Sequence, residues 1–258
     1  MKELTVAKRA AKEAGKILLS YMGKLEHVEY KGQRDPVSEA DKASEKRVAE
    51  IIREAFPAHG FLAEEKTSWT GQDKSARWIV DPLDGTVNYA HGYPHFSVSI
   101  AFERDGEMQA GVVFDPVRKE LFSAVKGGGA FLNNKPIRVS GTKTLIKSLL
   151  VTGFPYDIES RPKEILEPFN RMVLAAQGVR RDGSAALNLC YLACGRFDGY
   201  WEMGLKPWDT AAGMLILREA GGVVTNFKGE PFTPEMQEIL ASNGKIQKEI
   251  MEVLGKGA

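Results

Sequence analysis

Apolar and polar positions repeat along the chain with two different periods. Leu4, Ala7, Ala11, Ala14, Leu18 and Tyr21 recur at helical spacing, which predicts an amphipathic helix over residues 4–22. Glycines and charges break that pattern, and Lys31-Gly32-Gln33-Arg34-Asp35-Pro36 reads as a polar loop. A second helical stripe is made by Val48, Ile51, Ile52 and Ala55. Ser38, with Asp41 three residues on, resembles a capping box at its start, and Pro57 ends it. The period then shortens. Arg77-Trp78-Ile79-Val80 is an apolar strand running into Asp81, and residues 96–102 alternate around Ser97 and Ser99. Asp105-Gly106 is a hairpin signal. Residues 111–114 and 120–125 are further strands, with turns at Asp115-Pro116 and at Asn133-Asn134-Lys135-Pro136. Connections this short predict an antiparallel meander.

From about residue 145 the rhythm changes. Leu149 to Thr152 reads as a strand, and a helix runs from there to about Gln177. Short strands around Val179, 197–200 and 223–224 alternate with helices over 184–194 and 209–220. A last strand near 239–242 precedes a terminal helix. This alternation predicts an α/β half. With no internal repeat and no long linker, residues 1–258 are expected to form one compact body, with subdomains near 1–143 and 144–258.

Composition narrows the function classes. Hydrophobic residues make up 43% of the chain, enough for a substantial core. The formal net charge is +1, so the chain as a whole lacks the footprint of a nucleic-acid or anionic-membrane binder. Arg180-Arg181 is a local anion contact or a solvated pair. No stretch approaches the roughly 18 apolar residues of a membrane span, and no signal peptide is recognisable. Cys190 and Cys194 are four apart in a helical stretch and read as small buried side chains rather than a redox pair. A reducing, cytoplasmic location is expected.

Candidate chemistry centres on Asp81-Pro82-Leu83-Asp84-Gly85-Thr86. Two carboxylates at a strand's C-terminal end sit where α/β proteins tend to build sites. They repel each other unless a cation lies between them, and hard oxygen donors suit Mg²⁺. Gly85-Thr86 offers backbone N–H groups with little cover, an anion site if a helix starts there. The plain alternative for the six residues is an ordinary Asp-Gly turn. Glu64-Glu65 closes a short apolar run and is either part of a site or a solvated charge pair. Asp209, after Pro207-Trp208, opens an apolar helix and by itself reads as a helix cap. Asp41 alone reads as a solvated helix acid. Other chemistries have little support. Ser184 lies outside a GxSxG elbow. His91 and His95 are split by Pro94 and no HExxH exists. Gly127-Gly128-Gly129 has neither P-loop nor dinucleotide spacing and reads as a tight turn.

Taken together, the motifs resemble the inositol monophosphatase family. They are Asp35-Pro36-Val37-Ser38-Glu39-Ala40-Asp41, Ala63-Glu64-Glu65, Trp78 to Asn88, Gly183-Ser184-Ala185-Ala186-Leu187-Asn188, Tyr200-Trp201-Glu202-Met203-Gly204 and Pro207 to Gly213, with Glu219-Ala220-Gly221-Gly222 behind. Their order spans the chain. Leu83 stands where isoleucine is common in the family. The resemblance implies a layered αβαβα sandwich, usually a homodimer, that hydrolyses a small phosphate monoester with two to three Mg²⁺ and is sensitive to Li⁺. By motif match, one metal would be held by Glu64, Asp81 and the Leu83 carbonyl. A second would be held by Asp81, Asp84 and Asp209, and a third, weaker one would lie near Glu64. Thr86 and Asp41 would orient and help deprotonate the attacking water. Gly85 and Thr86 amides would donate to the phosphate, and Glu202, Ala185 and the Gly183-Ser184 turn would contact the alcohol. Inositol 1-phosphate is the expected substrate. Fructose 1,6-bisphosphate, alone or in addition, is the runner-up. An interaction protein that keeps the fold without catalysis is the alternative of another class.

Overall fold

The computed structural model describes residues 1–24, 28–32, 35–65 and 67–255, with the backbone alone for 28–32 and 35. The first layer is a helix pair, α1 (Lys2–Tyr21) and α2 (Glu39–Ala55). Between them β1 (Val28–Gly32) and β2 (Asp35–Ser38) form an antiparallel hairpin. This corrects the loop expected over 31–36: Lys31, Gly32, Asp35 and Pro36 are strand residues, and Gln33 and Arg34 lie outside the described residues. Backbone pairing across the hairpin outweighs the polar side chains. Ser38 caps α2 in the expected box, its hydroxyl accepting from the Ala40 and Asp41 amides while Asp41 accepts from the Ser38 amide.

A seven-stranded sheet follows. It comprises β3 (His59–Ala63), β4 (Asp73–Asp84), β5 (Ser97–Arg104), β6 (Glu107–Asp115), β7 (Glu120–Val125), β8 (Ala130–Leu132) and β9 (Lys135–Pro136), adjacent in chain order. A five-residue helix, α3 (Thr86–Ala90), lies between β4 and β5. From β4 onward every pairing is antiparallel, as a meander requires, and only β3 and β4 run parallel. The hairpin tips carry the left-handed conformations that Asp-Gly and Asn-Asn favour, at Asp105, Gly106, Asn133 and Asn134.

The C-terminal half contributes β10 (Leu149–Thr152), α4 (Pro162–Ala175), β11 (Gly178–Arg180), α5 (Ala185–Ala193), β12 (Gly199–Met203), α6 (Pro207–Glu219), β13 (Val223–Thr225), β14 (Glu238–Ser242) and α7 (Gln247–Gly255). Its sheet has the order β11-β10-β12-β14-β13, with the first three strands parallel and the others antiparallel. Two expectations shift here. α4 starts at Pro162, because Gly153-Phe154-Pro155 leaves the strand edge as a loop. The strand expected at 197–200 is Gly199–Met203; Asp198 before it still bonds through its backbone to Leu149 and Asn243, and its carboxylate accepts from the Leu149 amide and Ser140.

Three apolar clusters mark the layers. α1 and α2 cover one face of the large sheet around Trp78, Ile100, Val112 and Ile52. α5 and α6 fill the space between the sheets around Leu187, Leu189, Tyr200 and Ile216. α4 and α7 close the outer face of the small sheet around Trp201, Leu240 and Ile250. The result is the expected αβαβα sandwich, and β12 shows the period-two logic of a buried strand, with Tyr200 and Trp201 facing opposite layers. The free thiols Cys190 and Cys194 sit at the end of α5.

Candidate active site

β4 carries the site because its pairing with β5 is interrupted. Asp81 pairs with Ser99 and Asp84 with Ser97, so Pro82 and Leu83 bulge out of the ladder. Pro82 has no N–H to lose, which makes it a natural bulge residue. Asp81 and Asp84 are thereby buried at the open end of the strand, 2% and 7% exposed. Gly85 then turns the chain with φ 97°, and a Cβ there would stand 3.1–3.3 Å from His95 O, Gly183 O and Phe96 Cα. A side chain is excluded on both counts. The next residue, Thr86, starts α3.

A cleft of about 300 Å³ opens over this turn. Glu64, Asp81, Leu83, Asp84, Gly85, Thr86, Gly183, Ser184, Ala185, Glu202 and Asp209 all line it. The motif residues, dispersed over 145 positions of sequence, therefore meet in one place. Asp41 stands behind the wall, fully buried, with Oδ1 3.4 Å from the Thr86 hydroxyl. That hydroxyl lies 2.9 Å from the Leu83 carbonyl, to which it donates. Asp41 Oδ2 accepts from the Ser38 amide at 2.8 Å and hydroxyl at 2.5 Å.

Each carboxylate has a defined partner. Asp84 accepts from the Ala185 and Ala186 amides at 3.1 and 3.0 Å, from Ser97 at 3.2 Å and from the Ser184 hydroxyl. It thus caps the first turn of α5, where exposed N–H groups favour an anion. Asp209 accepts from the Lys206 amide at 2.6 Å, so its helix-capping role coexists with a place in the cleft. Asp81 Oδ1 accepts from the Leu83 amide at 3.0 Å. Glu202 accepts from the Tyr200 hydroxyl at 2.6 Å.

Electrostatically the cleft is overloaded with negative charge. Burial first, then the charges of Glu64, Asp84 and Asp209, push the Asp81 carboxyl well above its usual range. Asp209 is raised chiefly by burial, with Asp84 and Glu64 adding to it, and Asp84 is raised by burial against four opposing hydrogen bonds. Burial carries Asp41 up to about 6 and Glu202 up to about 7. A divalent cation is the ordinary relief for such a set, and an all-oxygen donor set with one backbone carbonyl suits Mg²⁺. Among the described residues no three acidic, histidine or cysteine side chains stand grouped to grip an ion. The oxygens of Asp84 and one each from Asp81 and Asp209 are turned onto amides instead. The donor chemistry fits a hard cation.

Several residues at the site had no role given by the sequence: Tyr200, Met203 and Trp208 fall inside the matched motifs, whereas Tyr156, Leu205 and Lys206 lie outside them. Gly153 sits against Glu202, and a Cβ there would lie 2.0–2.2 Å from the carboxylate. Tyr200, two residues before Glu202, shares its face of β12, which period-two reasoning could have found. Phe154, Tyr156, Met203, Leu205, Lys206 and Trp208 complete the cleft wall. Of the arginine pair, Arg180 lies on β11 and is exposed, whereas Arg181 lines the cleft with its guanidinium 5.9 Å over the Phe154 ring. The decoys stay structural. His91 ends α3, His95 is buried before β5, and Ser184 caps α5. Gly127 and Gly129 form a turn whose amides donate to Glu219.

The chain matches the model of the inositol monophosphatase family over residues 1–256. It is 45% identical to an inositol-1-monophosphatase of Synechocystis, over 97% of this chain and 88% of that protein. It is 44% identical to a protein of Haemophilus influenzae named Nus factor SuhB, over 96% and 94%. A solved inositol monophosphatase from Anabaena superposes with a TM-score of 0.90 at 46% identity, covering 99% of this chain and 96% of that one.

Proposed function

The chain belongs to the inositol monophosphatase family and is a phosphoric monoester hydrolase, and from that premise we propose that it releases phosphate from inositol 1-monophosphate with the help of Mg²⁺. The observation that carries this reading is the meeting of Glu64, Asp81, the Leu83 carbonyl, Asp84 and Asp209 in one cleft beside the bare Gly85-Thr86 turn. Those five would hold the metal ions, two to three in number. When bound, Mg²⁺ supplies Lewis-acid stabilisation of charge on the phosphoryl and leaving oxygens.

The chain's own groups do the rest. The Gly85 and Thr86 amides present fixed donors to the phosphate oxygens. Thr86 and Asp41 orient the attacking water and help take its proton, with Asp41 Oδ1 3.4 Å from the Thr86 hydroxyl. Glu202 and the Gly183-Ser184-Ala185 turn face the alcohol. Little covalent help is needed for phosphoryl transfer beyond such positioning and charge stabilisation.

The test is phosphate release from inositol 1-phosphate, fructose 1,6-bisphosphate, 3′-phosphoadenosine 5′-phosphate and glycerol 2-phosphate, with Mg²⁺, with chelator and with added Li⁺. The reading expects Mg²⁺-dependent release, fastest from inositol 1-phosphate and depressed by Li⁺. No release from any of the four overturns it. Fructose 1,6-bisphosphate is the second reading, because Arg181 and Lys206 on the cleft wall offer positive charge to a second phosphate. The name Nus factor belongs to the Haemophilus relative; the full set of Glu64, Asp81, Asp84, Thr86 and Asp209 supports an enzyme. A homodimer is part of the proposal. α4 exposes Leu166, Val173 and Leu174, the last at 84%, an apolar face that a second copy would cover. Sedimentation at the monomer mass would refute that part.

A further inference from the structure

One face of α2 touches three separate parts of the cleft. Asp41, Ser44 and Glu45 occupy positions i, i+3 and i+4, so they share that face, and all three are buried at 0%, 0% and 3% exposure. Asp41 approaches Thr86. Ser44 donates its hydroxyl to the Pro82 carbonyl at 2.8 Å. Glu45 reaches across to the segment after β3, where its two oxygens accept from the Glu65 amide at 2.7 Å and the Thr67 amide at 2.9 Å.

Neither Ser44 nor Glu45 lines the cleft, so neither can touch a substrate. Their partners flank the residues that do. Pro82 lies between Asp81 and Leu83 in the β4 bulge, where the ladder leaves its carbonyl without a strand partner. Ser44 satisfies that carbonyl and so sets the pitch of the bulge. Glu65 follows Glu64, and two amides held by one buried carboxylate fix the backbone on the far side of Glu64. Hydrogen bonds to an ionised acceptor are shorter and about twice as strong as neutral ones. A buried carboxylate on a helix would otherwise be costly, and packing alone gives no reason for it.

We propose that Ser44 and Glu45 are positioning residues that hold the Asp81–Asp84 bulge and the Glu64 segment in register for cation binding. The inference rests on the reading of the cleft as a divalent-cation site. Side chains behind a metal's ligands typically change its affinity about 10- to 100-fold when removed. Glu45→Ala should fall in that range. Glu45→Gln keeps one acceptor oxygen and should fall between wild type and Ala. Ser44→Ala should weaken binding, and Ser44→Thr, which restores the hydroxyl, should recover it.

The experiment is calorimetric titration of Mg²⁺ and Mn²⁺ into the metal-free, full-length proteins without substrate. It is paired with amide exchange over residues 61–72 and thermal melting in chelator. The expected result is weaker cation binding for Glu45→Ala and Ser44→Ala, with faster exchange at Glu65 and Thr67 in the Glu45 variants. A lowered melting temperature with unchanged cation affinity would mean a structural role only and overturns the inference. If Glu45→Ala does not fold, Glu45→Gln and Ser44→Ala decide the matter. Wild type that binds neither cation removes the reading of the cleft and this inference with it, whereas tight wild-type binding equalled by the variants removes the inference alone.

Discussion

A methyl group at Gly153 should disable Glu202 without unfolding the protein. The added Cβ would stand 2.0 Å from Glu202 Oε1 and 2.2 Å from Cδ and Oε2. Non-bonded heavy atoms settle near 3.5–4 Å, so the carboxylate would have to withdraw by about 1.5 Å. Its bond from Tyr200, now 2.6 Å, would then exceed hydrogen-bond length. A hydrogen bond to a charged group contributes about 1.5–3 kcal/mol. If Glu202 grips the alcohol of the substrate, that loss corresponds to a fall of about 10- to 150-fold in kcat/KM. The assay is phosphate release from inositol 1-phosphate at pH 8, above the value of about 7 to which burial carries Glu202. The control is Glu202→Ala, which removes the obstruction. In that background Gly153→Ala should cost little, because two residues in contact are not additive. Equal penalties in the two backgrounds, or a Gly153→Ala enzyme with unchanged kcat/KM, would refute the reasoning.

Asp81→Asn should abolish turnover with the far-UV spectrum intact, and in chelator it should melt higher than wild type, because it removes one charge from a cluster in which burial and Glu64, Asp84 and Asp209 already oppose ionisation. Near-normal activity would discard Asp81 as a ligand. Adding Mg²⁺ to about 100 times its dissociation constant should stabilise the native state by about 2.7 kcal/mol, read as a rise in melting temperature that chelator reverses. One group should work against stability in mild acid, opposite in sign to the raised carboxyls of the cleft, which take up protons on folding there. His59 is held below its ordinary value of 6.5, chiefly by burial and secondly by Arg104, and its Nδ1 accepts from the Trp78 indole N–H at 3.2 Å. The unfolded chain therefore takes up this proton first as pH drops. The contribution of His59 is lost between 6.5 and the lower folded value and then levels off. Denaturant titrations from pH 7.5 to 5 should show wild type losing stability relative to His59→Phe as pH falls, and a constant difference between the two would refute this.

Much of the architecture is legible in the periodicity. The strands over 120–125 and 149–152 and the turn residues at 105–106 and 133–134 lie where the alternation puts them, because short strands between strong turn signals leave few registers. What pattern could not show was competition for backbone bonds. Lys31-Gly32 and Asp35-Pro36 look like loop but pair as a hairpin. Phe197-Asp198 looks like strand, and Asp198 does bond through its backbone to Leu149 and Asn243, but β12 begins only at Gly199. The cleft divides in the same way. Residues with unusual local chemistry, such as Asp81, Asp84, Glu64 and Asp209, stood out from their neighbours. Ser44 and Glu45 act through partners distant in sequence and nothing beside them marks them, while Tyr200 stands in a matched motif and only its bond to Glu202 was hidden.

The layering explains why such an acidic site can exist at all. Five carboxylates in one cleft oppose folding, since each would be more stable in water. The sandwich offsets this locally by aiming backbone N–H groups at them: Asp84 takes the first turn of α5, Asp209 the amide before α6, and Asp81 the amide in its own bulge. The donors to Asp84 and Asp209 come from the starts of α5 and α6 in the middle helical layer, which packs against both sheets. The residue pairs that close the cleft, Asp84 with Ala185 and Ser184, are about 100 positions apart in the chain. Asp84 is therefore compensated only when the N-terminal sheet and the C-terminal helices are docked on each other, whereas Asp81 and Asp209 have local donors. Separating the halves would expose the apolar middle layer and also strip Asp84 of its donors, which ties the stability of the fold to the geometry of the site.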